Sequence, residues 1–340
     1  MRQTIRHIGL LLFSVLVCLP ALAANDLKHH RDIVWASPDG HDLHLDIAVP
    51  QTATEAKPVL VIFHGGGWLI NDKSIMNDLA ETVPRRADII TVNVDYRLLP
   101  DRDNTVTINE IVEDAMGATL WVKDNIHRYG GDPQQIAVTG DSAGGHLAAM
   151  VTLAGRNLGS DGFNDKTQRF TPTYLPDGRT AEQVAEEDGL KVQAAILSYA
   201  AFSMLEAAQG NFESADNPFW GWADAEARGI FGNERNVNDH SEYYQAVSAA
   251  PYLVSADEYP LPPQFVHVGE NDDVTPPESA RAYVDRLTEL GQHARLVIYD
   301  DLGHGFLDTG CNDYTGGCFE DLAEETVKDM VAFLEDVFEL

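Results

Sequence analysis

The sequence predicts an α/β architecture built on one mostly parallel central sheet, with helices on both faces. Three observations carry this. Six short, nearly continuous apolar runs recur along the chain, as strands covered on both sides require. Patterns of helical period separate them. A strand, turn, strand signature precedes the alternation, so an antiparallel start feeds a βα succession.

The opening pair is Asp32–Trp35 and Leu43–Val49, with Ser37-Pro38-Asp39-Gly40 as the turn between them. The continuous runs are Val59–Phe63, Ile89–Val94, Ile136–Thr139, Ala194–Tyr199, Gln264–Val268 and Ala294–Tyr299. Among the helical stretches, Ile111, Ala115, Ala118 and Val122 fall on one face. Ser279–Leu290 is predicted helical and stops at Gly291, a residue suited to the left-handed turn that ends a helix. Glu320–Phe338 is predicted to close the chain as one amphipathic helix.

Two stretches break the alternation. Residues 157–190 are polar and rich in Gly, Asp and Thr; residues 207–263 carry Phe219, Trp220, Trp222 and Phe231. Both are read as insertions reaching over the carboxyl ends of the strands, where such sheets bind ligands, within a single domain of residues 25–340.

Residues 1–24 are read as a cleaved signal peptide. Arg2 and Arg6 precede an apolar run from Ile8 to Leu19, and small residues follow at Ala21, Ala23 and Ala24. The run falls short of the roughly 20 residues that a membrane-crossing helix needs, so no membrane insertion is expected once the signal is removed. The formal net charge of −31 over 340 residues repels phosphate backbones and excludes nucleic acid as a partner. Cys18 leaves with the signal. Cys311 and Cys318 are expected to form a disulfide in an oxidising compartment.

Gly140-Asp141-Ser142-Ala143-Gly144 lies between a strand and the helical run Gly145–Leu153. That is the setting of a nucleophile elbow, in which small flanking residues permit a turn tight enough to expose the serine hydroxyl. His64-Gly65-Gly66-Gly67-Trp68 directly follows another strand. Its glycines let backbone N–H groups approach a ligand oxygen, and with the N–H of Ala143 they would hold an oxyanion. His64 itself is read as structural.

A serine hydroxyl needs a base, and the base an orienting acid. His304, between Gly303 and Gly305 after the run Ala294–Tyr299, is the expected base. His267 lies inside a predicted strand and His293 before one. Glu270, Asp272 and Asp273 compete for the acid, with Asp272 preferred and Asp273 the fallback.

Together HGGGW, the segment Val94-Asp95-Tyr96-Arg97-Leu98-Leu99-Pro100, GDSAGG and GHGF resemble the hormone-sensitive-lipase-like esterases of the α/β-hydrolase superfamily. The resemblance runs from about Asp32 to the C-terminus. It implies the α/β-hydrolase fold, an oxyanion hole made by Gly66, Gly67 and Ala143, and a structural turn at Asp95-Tyr96-Arg97. Typical members begin with cap helices, whereas here the strands start almost at once. With Trp68, a candidate substrate contact, this is more similar to the secreted acetyl-xylan and feruloyl esterase-like branch. The implied activity is carboxylic-ester hydrolysis of short-chain or carbohydrate-linked substrates, with no metal or organic cofactor. The same residues would also suit an amide or peptide hydrolase, or a non-catalytic binding protein on a hydrolase scaffold. Oligomeric state is left open.

Overall fold

The computed structural model describes residues 25–52 and 56–340; the expected signal segment and Cys18 lie outside them. Eight strands form one sheet: β1 (Leu27–Ala36), β2 (Leu43–Pro50), β3 (Lys57–Phe63), β4 (Ile90–Val94), β5 (Gly131–Asp141), β6 (Ala194–Ser198), β7 (Gln264–Gly269) and β8 (Ala294–Tyr299). Their order is β1-β2-β4-β3-β5-β6-β7-β8. β2 runs antiparallel to β1 and β4, and every later pairing is parallel. All eight runs read from the sequence are strands, several extended by residues whose polar side chains hide the pattern. β5, for example, begins at Gly131 in the polar stretch before Ile136.

The strand order dictates where the helices go. The chain steps from β3 to β4 in one direction and from β4 to β5 in the other. Right-handed crossovers therefore place the intervening helices on opposite faces. Asn77–Arg86 covers one face and packs with the last helix, Glu324–Phe338; Ile108–Asn125 covers the other and packs with Ala143–Ala154. The foreseen stripe Ile111, Ala115, Ala118 and Val122 is fully buried. Gly291 adopts φ +74° and ends the helix Pro277–Glu289 as expected.

Two helical features differ from the sequence reading. Asn77–Arg86 contains Pro84, which has no N–H to offer the carbonyl of Ala80. The buried Thr91 hydroxyl of β4 donates to that carbonyl instead, at 2.5 Å. The closing helix is not continuous: Phe319–Leu322 and Glu324–Phe338 meet at Ala323.

Register aligns the carboxyl ends of the central strands. Phe63 pairs with both Val94 and Gly140, Asp141 with Ser198, Ser198 with His267, and Gly269 with Tyr299. The loops after β3, β5, β7 and β8 consequently emerge along one edge.

Residues 157–190 enter after the helix Ala143–Ala154 rather than after a strand. They lie along the helix Ile108–Asn125, where Thr171 and Thr173 donate backbone N–H groups to the side chain and carbonyl of Glu113, each at about 3 Å. Residues 207–263 include the short helices Pro218–Trp222 and Ser241–Ala246. The two stretches meet through Phe163, whose ring lies 5.7 Å from that of Phe231 and 5.5 Å from that of Tyr243.

Candidate active site

Ser142 sits between the end of β5 and the start of Ala143–Ala154, at φ 52°, ψ −115°. A serine tolerates this region poorly, and the surroundings hold it there. Its N–H donates to the carbonyl of Ser198 at 2.9 Å, and its carbonyl accepts from His146 at 3.1 Å and Ala201 at 3.3 Å. The helix crosses β3 so closely that a Cβ at Gly144 would stand 2.0 Å from the carbonyl oxygen of Phe63. Only glycine fits, which is the physical content of the second glycine in the motif.

The loop after β8 brings His304 to this hydroxyl, with Nε2 2.8 Å from Ser142 Oγ. Nδ1 lies 2.8 Å from Asp272 Oδ2, so it carries the hydrogen and leaves Nε2 as the acceptor facing the serine. Asp272 is fixed in turn: its Oδ1 accepts from the N–H groups of Val274 at 2.9 Å and Thr275 at 2.8 Å. Both the His304 and Asp272 side chains are shielded from solvent, and Tyr199 meets the imidazole edge-on. Of the competing acids, Glu270 and Asp273 are exposed on the same loop. His267 is buried within β7 and its Nε2 contacts Ser198 Oγ, while His293 is exposed ahead of β8.

The loop after β3 curls back through the carbonyl of Gly66, which accepts from Leu69 and Ile70, each at 3.1 Å. Gly66 has φ +116°, and a Cβ there would stand 2.3 Å from the carbonyl oxygen of Ile70, so no larger residue makes this turn. His64 braces the loop from beneath: Nδ1 donates to the carbonyl of Gly65 at 2.7 Å and the ring stacks on Tyr96. The Tyr96 hydroxyl donates to the His64 carbonyl, Asp95 accepts from the N–H of Lys73, and Arg97 forms a buried two-pronged pair with Asp114. The segment after β4 thus knits these loops together.

Two cavities open from Ser142. The larger, about 860 Å³, is lined by Trp68, Phe202, Phe212 and Thr275 among others. Trp68 is buried there, edge-on to His146 and Phe212. The smaller, about 300 Å³, is bounded by Asn71, Phe219, Trp222, His304 and Asp308 among others. Residues 207–263 line both cavities through Phe219. Residues 157–190 line neither, contrary to the expectation that they reach over the site. Their entry after a helix, not after a strand, is the reason.

Sequence reasoning missed four neighbours of these side chains. The Thr275 hydroxyl donates to the carbonyl of Tyr199 at 2.8 Å and lies 3.2 Å from His304 Nδ1. Asp141 is buried beneath the elbow, and burial followed by the nearby Asp308 pushes its carboxyl well above the usual range. Burial likewise pushes Asp308 up to about 6, opposed by His304. His146, one turn past the serine, is held neutral by burial, with its pKa lowered to about 4. The position of Asp141 inside the elbow motif was the available signal for one of them; Thr275 and Asp308 carry none.

Cys311 and Cys318 are joined by a disulfide, as expected, across a two-stranded hairpin just beyond His304.

The chain is similar to known proteins along most of its length. A family model described as the alpha/beta hydrolase fold matches residues 60–308. Carboxylesterase NlhH of Mycobacterium tuberculosis is 27% identical over 282 residues, covering 79% of this chain and 74% of that protein. The probable carboxylic ester hydrolase LipM of the same organism is 31% identical over 285 residues, covering 82% of this chain and 55% of its own. Among solved structures, a thermophilic esterase of Thermogutta terrifontis superposes with a TM-score of 0.62 at 22% identity, covering 92% of each chain.

Proposed function

Because the chain belongs to the alpha/beta hydrolase fold family, we propose that it is a serine carboxylesterase that works through an acyl-enzyme. Ser142 Oγ attacks the ester carbonyl as its proton passes to His304 Nε2. Asp272 keeps the imidazole in the tautomer that can accept this proton and stabilises the imidazolium that results. The carbonyl oxygen, now an anion, is held by the N–H groups of Gly66, Gly67 and Ala143. Collapse of the tetrahedral intermediate breaks the bond to the alcohol oxygen, which leaves with the proton from His304. Water repeats the sequence, giving its proton to His304 and releasing the acid and free Ser142.

The observation that carries this reading is the position of one imidazole between two partners, 2.8 Å from the serine hydroxyl and 2.8 Å from the carboxylate. The test is turnover of p-nitrophenyl acetate with labelling by a fluorophosphonate probe. Ser142→Ala and His304→Ala should each abolish turnover, and Ser142→Ala should abolish labelling, with the fold intact by circular dichroism. Aminoacyl anilides should turn over far more slowly; an anilide preference would make the chain an amidase instead.

The proposed substrates are short-chain or carbohydrate-linked esters, with residues 207–263 as the cover of the site. Secretion is proposed from residues 1–24. The Cys311–Cys318 disulfide supports it, since such bonds persist mainly in oxidising compartments. An N-terminus read from exported protein should begin near Asn25.

A further inference from the structure

The two cavities are distinguished by their relation to His304. The alcohol oxygen must leave within reach of the imidazole that protonates it, and His304 lines the smaller cavity but not the larger. The alcohol side of the ester therefore belongs in the smaller space and the acyl side in the larger. This assignment rests on the esterase reading above.

The smaller cavity has a consistent chemistry. Asp308 stands next to the base: a Cβ at Gly305 would lie 3.3 Å from Asp308 Oδ2 and 3.3 Å from the Tyr314 ring. Asn71 lines the same cavity, and its Nδ2 would lie 3.0 Å from a Cβ at Gly66, so its amide hangs beside the oxyanion loop. Among the described residues, neither the Asp308 carboxylate nor the Asn71 amide has a hydrogen-bond partner. Deeper in, Asp141 Oδ1 is buried and also unpaired. At the mouth, Trp222 is edge-on to Phe219 and to Tyr314, and both Trp222 and Tyr314 are more than half exposed.

This set discriminates among alcohols. Asn71 is exposed and Asp308 partly so; an alkyl group would displace water from this donor and acceptor and offer nothing in its place, which costs binding energy. A cation would satisfy Asp308 but not the N–H groups of Asn71. A hydroxyl both donates and accepts, so neighbouring hydroxyls on one carbon chain can serve Asp308 and Asn71 at once. The aromatic rim offers a flat apolar surface to the C–H face of such a chain. We propose that Asp308 and Asn71 select esters of polyhydroxylated alcohols, read in the cavity beside His304.

The experiment compares kcat/KM for glyceryl monoacetate, propyl acetate and acetylcholine, which share the acyl group and differ in the alcohol. Glyceryl monoacetate should exceed propyl acetate by at least tenfold. Asp308→Ala and Asn71→Ala, which lie on different loops, should each bring that ratio toward one. The ratio cancels any general effect of Asp308 on His304, and fluorophosphonate labelling of each variant shows that the elbow is intact. A wild-type ratio near one, a ratio unmoved in both variants, or a preference for acetylcholine overturns the proposal. If the wild type hydrolyses none of the three and resists the label, the esterase reading itself falls, and this proposal with it.

Discussion

Replacing Asp272 by Asn tests how the site sets the tautomer of its base. The carboxylate has two differently occupied oxygens. Oδ1 accepts two backbone N–H groups, from Val274 and Thr275, while Oδ2 faces His304 Nδ1. An asparagine in this seat must put its carbonyl oxygen where the two N–H donors point, which turns its NH₂ toward His304. Nδ1 then has to present a lone pair, Nε2 carries the hydrogen, and no base faces Ser142. Flipping the amide would restore the tautomer but orphan two backbone donors. At about 1–3 kcal/mol each, that costs about 2–6 kcal/mol, or a loss of about thirtyfold to 10⁴-fold. The wrong tautomer in an otherwise intact site costs about 10⁴-fold, so the upper part of the range is expected. The assay is kcat/KM for p-nitrophenyl acetate, with protein concentration fixed by absorbance. Asp273→Asn, on the exposed neighbour, should stay within threefold of wild type, on the order of a surface change. A loss below tenfold for Asp272→Asn, or an equal loss for Asp273→Asn, would refute the tautomer argument.

Stability should carry a histidine signature at acid pH. Burial lowers the His267 pKa to about 3, so the folded chain keeps it neutral while the unfolded chain binds a proton below about 6.5. Stability from this residue is complete above that value and is lost as pH falls toward 3. Denaturant titrations from pH 5.5 to 4 should show the wild type losing on the order of 1 kcal/mol per pH unit more than His267→Gln; equal slopes would sink the idea. Glu113 acts in the opposite window. Its carboxyl, pushed by burial up to about 8, stays protonated in the fold while the unfolded chain has ionised it above about 4.5, so its contribution is lost as pH rises. It remains partly exposed. Glu113→Gln should therefore flatten the stability curve between pH 5 and 7.5 by less than about 1 kcal/mol per unit, and an unchanged curve would count against its neutral state. Removing the disulfide with Cys311→Ser and Cys318→Ser frees a short loop worth about 2–3 kcal/mol in the chain-entropy account. Thermal melting and the glyceryl-to-propyl ratio should both fall, because Asn312 and Tyr314 of that loop border the smaller cavity. A drop in melting alone would separate the loop from selectivity.

The sheet was legible because parallel strands are wrapped in apolar neighbours and advertise themselves as unbroken runs. Lys57–Phe63 is buried along its whole length. The proximity of Ser142, Asp272 and His304 followed from the same source, since each lies in a loop beyond the carboxyl end of a recognised strand. What escaped notice has physical causes too. Pro84 disguises the helix Asn77–Arg86, and the compensating Thr91 hydroxyl comes from a different element. Asp308 looks like any other acid in a strongly acidic chain; its meaning comes from a cavity that forms only when Asn71, Trp222 and Tyr314 converge. The placement of residues 157–190 turned on which end of the sheet the chain had reached when the insertion began, and polar composition does not report that.

The backbone angles of Ser142 have a consequence for how this chain would change under pressure. A glycine would rest easily where this serine is forced, and it alone would relieve the distortion while leaving every neighbour in place. Screens that reward endurance to heat without asking for turnover should accordingly converge on the elbow and yield sturdier, inert protein. Any programme to harden this molecule has to keep a chemical readout in the loop, because the spot where rigidity is most cheaply gained is the spot where reactivity lives.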